Sequence, residues 1–159
     1  MVHPLVSAAG FALIELASLT TPYAAAQAIP EDFVIKLERT ACYGRCPAYS
    51  VSIDARGNVT YDGTRFVRIV GRQSDHIPVS RVAALVETVD RIRFFDLEDK
   101  YRQLITDLPT TFVTVTRDGR SKRIEDYFGA PRSLNDLERQ IDDLAQTARW
   151  IGADEVRLR

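Results

Sequence analysis

Residues 110–127 read TTFVTVTRDGRSKRIEDY and carry the clearest secondary-structure pattern in the chain. Residues 110–116 are rich in Thr and Val, the β-branched side chains that strands favour. Asp118-Gly119 follows, and glycine accepts the positive φ that a tight hairpin turn requires. The segment therefore predicts a β-hairpin whose second strand covers residues 121–127.

Working upstream, a second hairpin is predicted around the turn sequence Ala55-Arg56-Gly57-Asn58. Before it, Tyr49, Val51 and Ile53 alternate with polar residues, and residues 59–61 form the returning strand. Residues 33–38 show the same alternation, which is typical of a half-buried strand. Residues 65–70 lie between two glycines and predict one more short extended piece.

Two helices are indicated by apolar residues at spacings of three and four. The first follows Pro78, is expected to be capped by Ser80, and ends near Arg93. The second is expected to begin with a capping box formed by Ser133 and Asp136 and to run unbroken to Ile151. Their stripes consist of Val82, Leu85, Val86, Val89 and Ile92, and of Leu134, Leu137, Ile141, Leu144, Ala148 and Ile151.

These elements predict an α+β domain with an antiparallel sheet of about five strands and two helices packed on one face, in the order β-ββ-(β)-α-ββ-α. The chain has 159 residues, of which 45% are hydrophobic and 27% charged. That length and composition are typical of one globular domain. We place the domain at residues 33–151 and a frayed tail at residues 152–159.

The N-terminal segment differs from the rest in composition. Residues 1–28 contain no Lys or Arg, and residues 5–19 are mostly apolar. Small residues at 24–26 suit signal peptidase, so residues 1–26 are interpreted as a cleaved signal peptide of a periplasmic or secreted bacterial protein. Glu15 interrupts an apolar run shorter than the roughly 20 residues of a spanning helix, which argues against a permanent membrane anchor.

The charge balance of the chain and the motifs it lacks argue against two classes of partner, nucleic acids and cofactors. The chain has 21 basic and 22 acidic residues, and loss of Glu15 with the signal peptide leaves 21 of each. A balanced domain argues against a nucleic-acid partner, which requires a basic face. No phosphate-binding glycine loop or metal-binding run is present, so no cofactor is predicted.

Residues 42–46, Cys-Tyr-Gly-Arg-Cys, are the most distinctive local feature. They hold the only two cysteines, which in an exported domain most simply pair with each other. Gly44 gives the short ring its backbone freedom, and Pro47 directs the exit into the next strand. Three alternatives remain: a zinc site, a redox centre, and a cysteine nucleophile partnered by His76.

Around this loop the sequence resembles the bacterial proteins that carry domain of unknown function 6438. The resemblance covers roughly residues 34–151 and implies a small, often exported module with no established activity, so no catalytic residue is carried over. It rests on Arg39, residues 42–47, Tyr49, Gly57, Val59, residues 61–63, Phe66-Val67, Gly71, Phe94-Phe95, Tyr101, residues 107–110, Gly119, Asp126-Tyr127, residues 129–131 and Trp150-Ile151.

A non-catalytic binding or protein-interaction module is the first hypothesis. Its ligand would be an envelope protein or peptide recognised by a rigid surface patch, because Tyr and Arg supply large contact areas and fixed donors. The competing structural interpretation is that Arg39 pairs with Asp107 only to brace the sheet. The predicted patch consists of Arg39, Tyr43, Gly44, Arg45, Tyr101 and Asp107.

Two other function classes stay open. An enzyme could use paired carboxylates drawn from Asp99, Asp107 and Asp126, whereas His76 is expected to be a solvated loop residue. A structural or assembly subunit would dock a second copy, giving a homodimer, through the sheet edge or through the apolar stripe of residues 134–151.

Overall fold

The computed structural model describes residues 28–152, which form one seven-stranded sheet with helices on one face. The strand order is β4-β3-β2-β1-β6-β7-β5. All neighbours are antiparallel except β5 and β7, which are parallel. The strands are β1 (Val34–Arg39), β2 (Ala48–Asp54), β3 (Asn58–Arg65), β4 (Gly71–His76), β5 (Lys100–Tyr101), β6 (Thr111–Arg117) and β7 (Arg120–Asp126).

Helices α1 (Val79–Arg91), α2 (Arg132–Ala145) and α3 (Ala148–Ile151) cover the sheet, and a 3₁₀ turn spans Phe94–Asp96. Helix α2 crosses the strands near the ends of β1 and β7. Its Asn135 bonds to Asp126 of β7, and seven residues later Asp142 bonds to Arg39 of β1. Helix α3 continues in the same direction, since Trp150 stacks on Tyr61 of β3.

The core lies between this helical layer and the inner face of the sheet. Alternation puts Ile35 and Leu37 of β1 on this face, with Leu37 between Val51 and Val113 in the register, and all four are fully buried. The stripes of both long helices pack against them, and Leu134, Leu137 and Ile141 are completely buried. The stripe of α2 is therefore buried in the core of this chain and is not exposed as a surface for a second copy.

The predicted α+β class is confirmed, but the strand count is not. The sheet has seven strands rather than five and is mixed rather than purely antiparallel. Of the extended piece expected at residues 65–70, Arg65 is the last residue of β3 and residues 66–70 form the connection to β4, which begins at Gly71. His76, expected in a loop, is the last residue of β4 and is exposed. β5 lies within residues 99–108, for which the sequence predicts only a long loop.

The helix starts also differ from expectation. Pro78 and Pro131 occupy the N-cap positions of α1 and α2, so neither Ser80 nor Ser133 caps a helix. The second helix does not run unbroken to Ile151, because Gln146 adopts a left-handed conformation with φ 52°. The chain then restarts as α3, which turns Trp150 onto the sheet. The helical layer therefore contains three helices rather than two.

The predicted signal peptide and residues 153–159 of the predicted tail lie outside the described residues. Within residues 28–152, no helix is both long enough and apolar enough to cross a membrane.

Candidate binding site

The disulfide loop, residues 40–47, connects β1 to β2. Cys42 and Cys46 form a disulfide with their Cα atoms 5.6 Å apart, which fits the pairing expected from the sequence. Tyr43 at the tip is 90% exposed. At the base, Thr40 donates its amide to the Thr110 carbonyl at 3.0 Å, and its hydroxyl accepts the Thr110 amide at 2.9 Å. The loop is thus closed by a covalent bond and hydrogen-bonded to the residue that precedes β6, the neighbour of β1 in the sheet.

Below this loop, Arg39 ends β1 with its side chain on the helix-facing side. It follows Ile35 and Leu37 at intervals of two, and a strand puts such residues on one face. Its side chain is only 10% exposed. In the sheet register Arg39 stands between Tyr49 on β2 and Thr111 on β6. The guanidinium donates to both hydroxyls, at 3.1 Å and 3.0 Å.

Asp142 of α2 is the main anionic partner of Arg39. Its Oδ2 accepts from Nε and Nη2 of Arg39 at 3.1 Å and 2.8 Å. Its Oδ1 accepts the hydroxyls of Tyr49 at 2.7 Å and Thr147 at 2.8 Å. Burial is the largest single effect and would lower the pKa of Arg39, but the charges of Asp142, Tyr49 and Glu138 together outweigh it and the net pKa is raised. Both oxygens of Asp142 are therefore occupied by donors from three different elements.

Glu138 lies one turn before Asp142 and is even more buried, at 7% exposure. Its Oε2 is 3.7 Å from Nη1 of Arg39, whereas its Oε1 is buried with no donor among the described residues. Burial raises the pKa of Glu138 to about 8; Arg39 opposes this shift, while Asp126 and Asp142 add to it. Burial therefore favours the protonated form of Glu138, whose carboxyl group lies within hydrogen-bond reach of Asp126.

Asp126 completes the cluster from the end of β7. Its Oδ2 accepts the side-chain amide of Asn135 at 2.8 Å. Burial raises its pKa, and the hydrogen bond from Asn135 partly offsets that rise. Across the sheet, Tyr49, Arg39, Thr111 and Asp126 form one continuous register row. We call this row, together with Asn135, Glu138 and Asp142 of α2, the polar row.

A pocket of about 390 Å³ opens beside the polar row. Arg39, Tyr49 and Asp142 line its floor, and Pro47 at the exit of the disulfide loop forms one side. The opposite side is the turn from α2 to α3, and the rim carries charges of both signs. The residues on these two parts are Gln146, Thr147, Ala148 and Ile151 for the turn, and Arg139 and Asp143 for the rim.

The structure distributes the residues predicted as one binding patch over two strands and two loops, with one of the residues buried. Tyr43, Gly44 and Arg45 are exposed at the disulfide loop, but Arg39 lies buried beneath it. Tyr101 is on β5, three strands from Arg39 in the sheet order. Asp107 is exposed in the following loop, and its carboxylate accepts from Thr106. The Arg39–Asp107 pair considered from the sequence does not form, because Asp142 takes that place.

The carboxylates considered for an enzyme are also separated. Asp99 and Asp107 are both exposed, and of the three only Asp126 reaches the polar row. Sequence reasoning did not identify Glu138 and Asp142, although Glu138 is an acidic residue within the apolar stripe of α2 and that position is a detectable signal. Among residues 28–152, no group of three or more His, Cys, Asp or Glu side chains is placed to hold a metal ion.

The fold and the polar row define a class of protein: a small α+β domain whose open sheet is covered on one face by helices, with a buried charge network beneath a disulfide loop. The chain belongs to the family described as domain of unknown function 6438, whose model matches residues 33–145. That match includes the disulfide loop and every member of the polar row. A comparison with curated proteins found no match.

Proposed function

We propose that this chain is a non-catalytic binding module of the bacterial envelope, exported through its N-terminal segment, whose pocket beside Pro47 receives part of a peptide or protein ligand. The observation that carries this proposal is a pocket held open by two constrained walls. One wall is Pro47, the last residue of the disulfide loop, and the other is the turn at Gln146 between α2 and α3. Walls that are ordered before binding reduce the entropy lost on association.

The size and lining of the pocket support a peptide as ligand. Ligand pockets generally fall within about 300–1,000 Å³, and 390 Å³ accommodates one or two side chains. Pro47, Ala148 and Ile151 offer apolar contact, while Arg139 and Asp143 offer charges of both signs. The apolar part of this lining suits an apolar side chain of a bound peptide, and the charged part suits the dipoles of its backbone.

The floor of the pocket favours binding over catalysis. An acid or base catalyst must exchange its proton with the substrate. Asp142 is already bonded by Arg39, Tyr49 and Thr147, and Glu138 is not among the residues that line the pocket. The raised pKa of Glu138 is the observation that favours an enzyme, the alternative function. Its burial between α2 and the sheet leaves it without a path to a bound ligand.

A thermal-unfolding screen of the full chain against N-acetylated, C-amidated amino acids and dipeptides tests the proposal. A compound at one hundred times its Kd stabilises by about 2.7 kcal/mol, which corresponds to a Tm increase of roughly 5–10 °C. We expect the increase to disappear in Ala148→Trp, which fills the pocket, and to persist in Ala83→Trp, a matched change on α1.

Asp143→Arg provides a second variant, because it reverses a rim charge without filling space. We expect it to change which compounds bind while leaving the unliganded Tm nearly unchanged. The proposal is wrong if no compound raises the Tm of the unaltered chain, or if the increase survives in Ala148→Trp with the fold intact by circular dichroism.

A further inference from the structure

The exposed apolar side chains of the domain are concentrated at one end of the sheet. β1, β3, β5 and β7 end there, while β2, β4 and β6 begin there, so residues 40–47, 66–70, 102–110 and 127–131 all meet at this end, which we call the loop end. Of the eight large hydrophobic residues exposed within residues 28–152, six lie on it. They are Tyr43, Val70, Leu104, Ile105, Leu108 and Phe128.

Two of these side chains are almost completely in water. Leu104 is fully exposed and Tyr43 is 90% exposed. Their loops are nevertheless held in place: the disulfide closes the first, and in the second the Leu108 amide donates to the Tyr127 hydroxyl at 3.3 Å. Exposed apolar side chains that are gathered at one end of a domain, on loops held in place, are typical of an interaction surface.

The charges beside these tips are mostly positive. The four segments of the loop end contain Arg45, Arg68 and Arg102, against one acidic residue, Asp107. Arg65, Arg132 and the half-buried Asp126 flank the same segments, and all five arginines are exposed. Arg102 pairs with Glu125 and Arg132 with Asp136, whereas Arg45, Arg65 and Arg68 form no ion pair with any described residue. Unpaired guanidinium groups around apolar tips complement phosphate groups above an apolar layer.

The opposite end of the sheet has a different character. Its segments carry Glu31, Asp32 and Asp118 against Arg56, and its exposed large apolar residues are Val34 and Val79. A protein with one basic, apolar end and one acidic end is oriented by a negatively charged surface. The asymmetry favours a lipid surface over a second copy of the chain, because two loop ends facing each other would bring the arginines together.

We propose that the loop end docks peripherally on an anionic lipid bilayer, with Leu104 and Tyr43 entering the headgroup region and the arginines contacting lipid phosphates. Interfacial binding of this kind combines buried apolar area with attraction to anionic lipids. It needs no spanning helix. It is independent of the ligand assigned to the pocket, although it would place that pocket close to the membrane surface.

The test uses the full chain and vesicles of phosphatidylcholine and phosphatidylglycerol in equal parts. A polarity-sensitive fluorophore is attached at Leu104→Cys or, as the matched control, at Val79→Cys, since Cys42 and Cys46 are already paired. On addition of vesicles, we expect a blue shift from the label at position 104 and none from the label at position 79. A chain held only by its apolar N-terminal segment would leave the label at 104 unshifted.

The electrostatic part is tested with the double variant Arg45→Glu, Arg68→Glu. Each arginine near an anionic surface contributes about a fivefold change in affinity, so we expect at least a 25-fold loss and a weakening with added salt. The proposal fails if the label at 104 does not shift while the chain binds vesicles, if the chain does not bind vesicles at all, or if the double variant binds as well as the unaltered chain.

Discussion

Glu138 makes the stability of this domain depend on pH in a direction that can be measured. Its ordinary pKa is 4.5, and in the folded protein burial raises the pKa to about 8. Between these values Glu138 is ionised in the unfolded chain and protonated in the folded one. The contribution of Glu138 to stability must therefore decrease as the pH rises from 5 to 8, by up to about 1.4 kcal/mol per pH unit. Below 4.5 its contribution is fully present, and above 8 the dependence ends.

Glu138→Gln isolates this effect. The glutamine amide has nearly the same shape as the protonated acid, so it can donate to Asp126 without titrating. Arg39, Asp126 and Asp142, which face position 138 from β1, β7 and α2, are retained. We expect the two proteins to be similar in stability near pH 5. By pH 8 the variant is expected to be more stable by about 3–4 kcal/mol.

Urea unfolding at pH values from 5 to 9, followed by the fluorescence of the single, buried Trp150, gives the free energy of unfolding of both proteins. Other carboxyl groups act in the opposite sense: the amides of Gly119 and Asp118 lower the pKa of Asp32, and Arg102 lowers that of Glu125. Their contributions are common to both proteins and cancel in the difference. A difference between the two proteins that stays constant within about 0.5 kcal/mol across this range would refute the reasoning.

Three further changes test other parts of the structure. Arg39→Met leaves the carboxylate of Asp142 buried without its cation, and we expect urea unfolding at pH 7 to show a loss of stability of about 3–5 kcal/mol. Arg123→Met, on the exposed outer face, is the control. Equal losses in the two variants would contradict the buried network. Cys42→Ser with Cys46→Ser opens a five-residue ring and is expected to lower stability by about 2 kcal/mol. We expect faster amide hydrogen exchange only in residues 40–47. Faster exchange throughout the core would show that the disulfide does more than order its loop. Gly57→Ala places a Cβ 2.1 Å from the Ile77 carbonyl oxygen at φ 87°, whereas the Cβ of Gly119→Ala meets open space at φ 70°. We expect a loss of stability of about 1 kcal/mol at Gly119 and a clearly larger loss at Gly57. The reverse order would be inconsistent with the turn geometry.

The hairpins could be predicted because their information is local. Alternation over residues 49–53 and the Asp118-Gly119 turn are each sufficient within a few residues. β4 gave no such pattern, because an edge strand reading GRQSDH has no apolar residue to alternate. β5 has two residues and is too short to show a period. The number of strands was therefore underestimated at the two edges of the sheet.

The break at Gln146 is hidden for a different reason. A helix end usually shows Gly or Pro, whereas here a glutamine takes the left-handed conformation and the apolar stripe continues through it. The break is required by packing, since it lets Trp150 reach Tyr61 at a ring distance of 4.8 Å. Tertiary contacts have overridden the local preference at this position.

The candidate site could be predicted only in part. The spacing of Ile35, Leu37 and Arg39 already indicates that Arg39 faces inward, and a buried arginine needs an anion. The anion is Asp142, which lies 103 residues away in the sequence, and no local pattern connects the two. The disulfide loop was identified from its cysteines, but the pocket depends on how α2 crosses the sheet.

The central claim is that ligands enter the pocket between Pro47 and the α2–α3 turn. Backbone and side-chain NMR of the full chain, titrated with the tightest-binding blocked dipeptide, tests it most directly. The account predicts chemical-shift changes concentrated at Pro47, Arg139 and residues 146–151, with the Arg39–Asp142 contact retained. Changes centred on α1 or on the outer face of the sheet, with residues 146–151 unaffected, would contradict it.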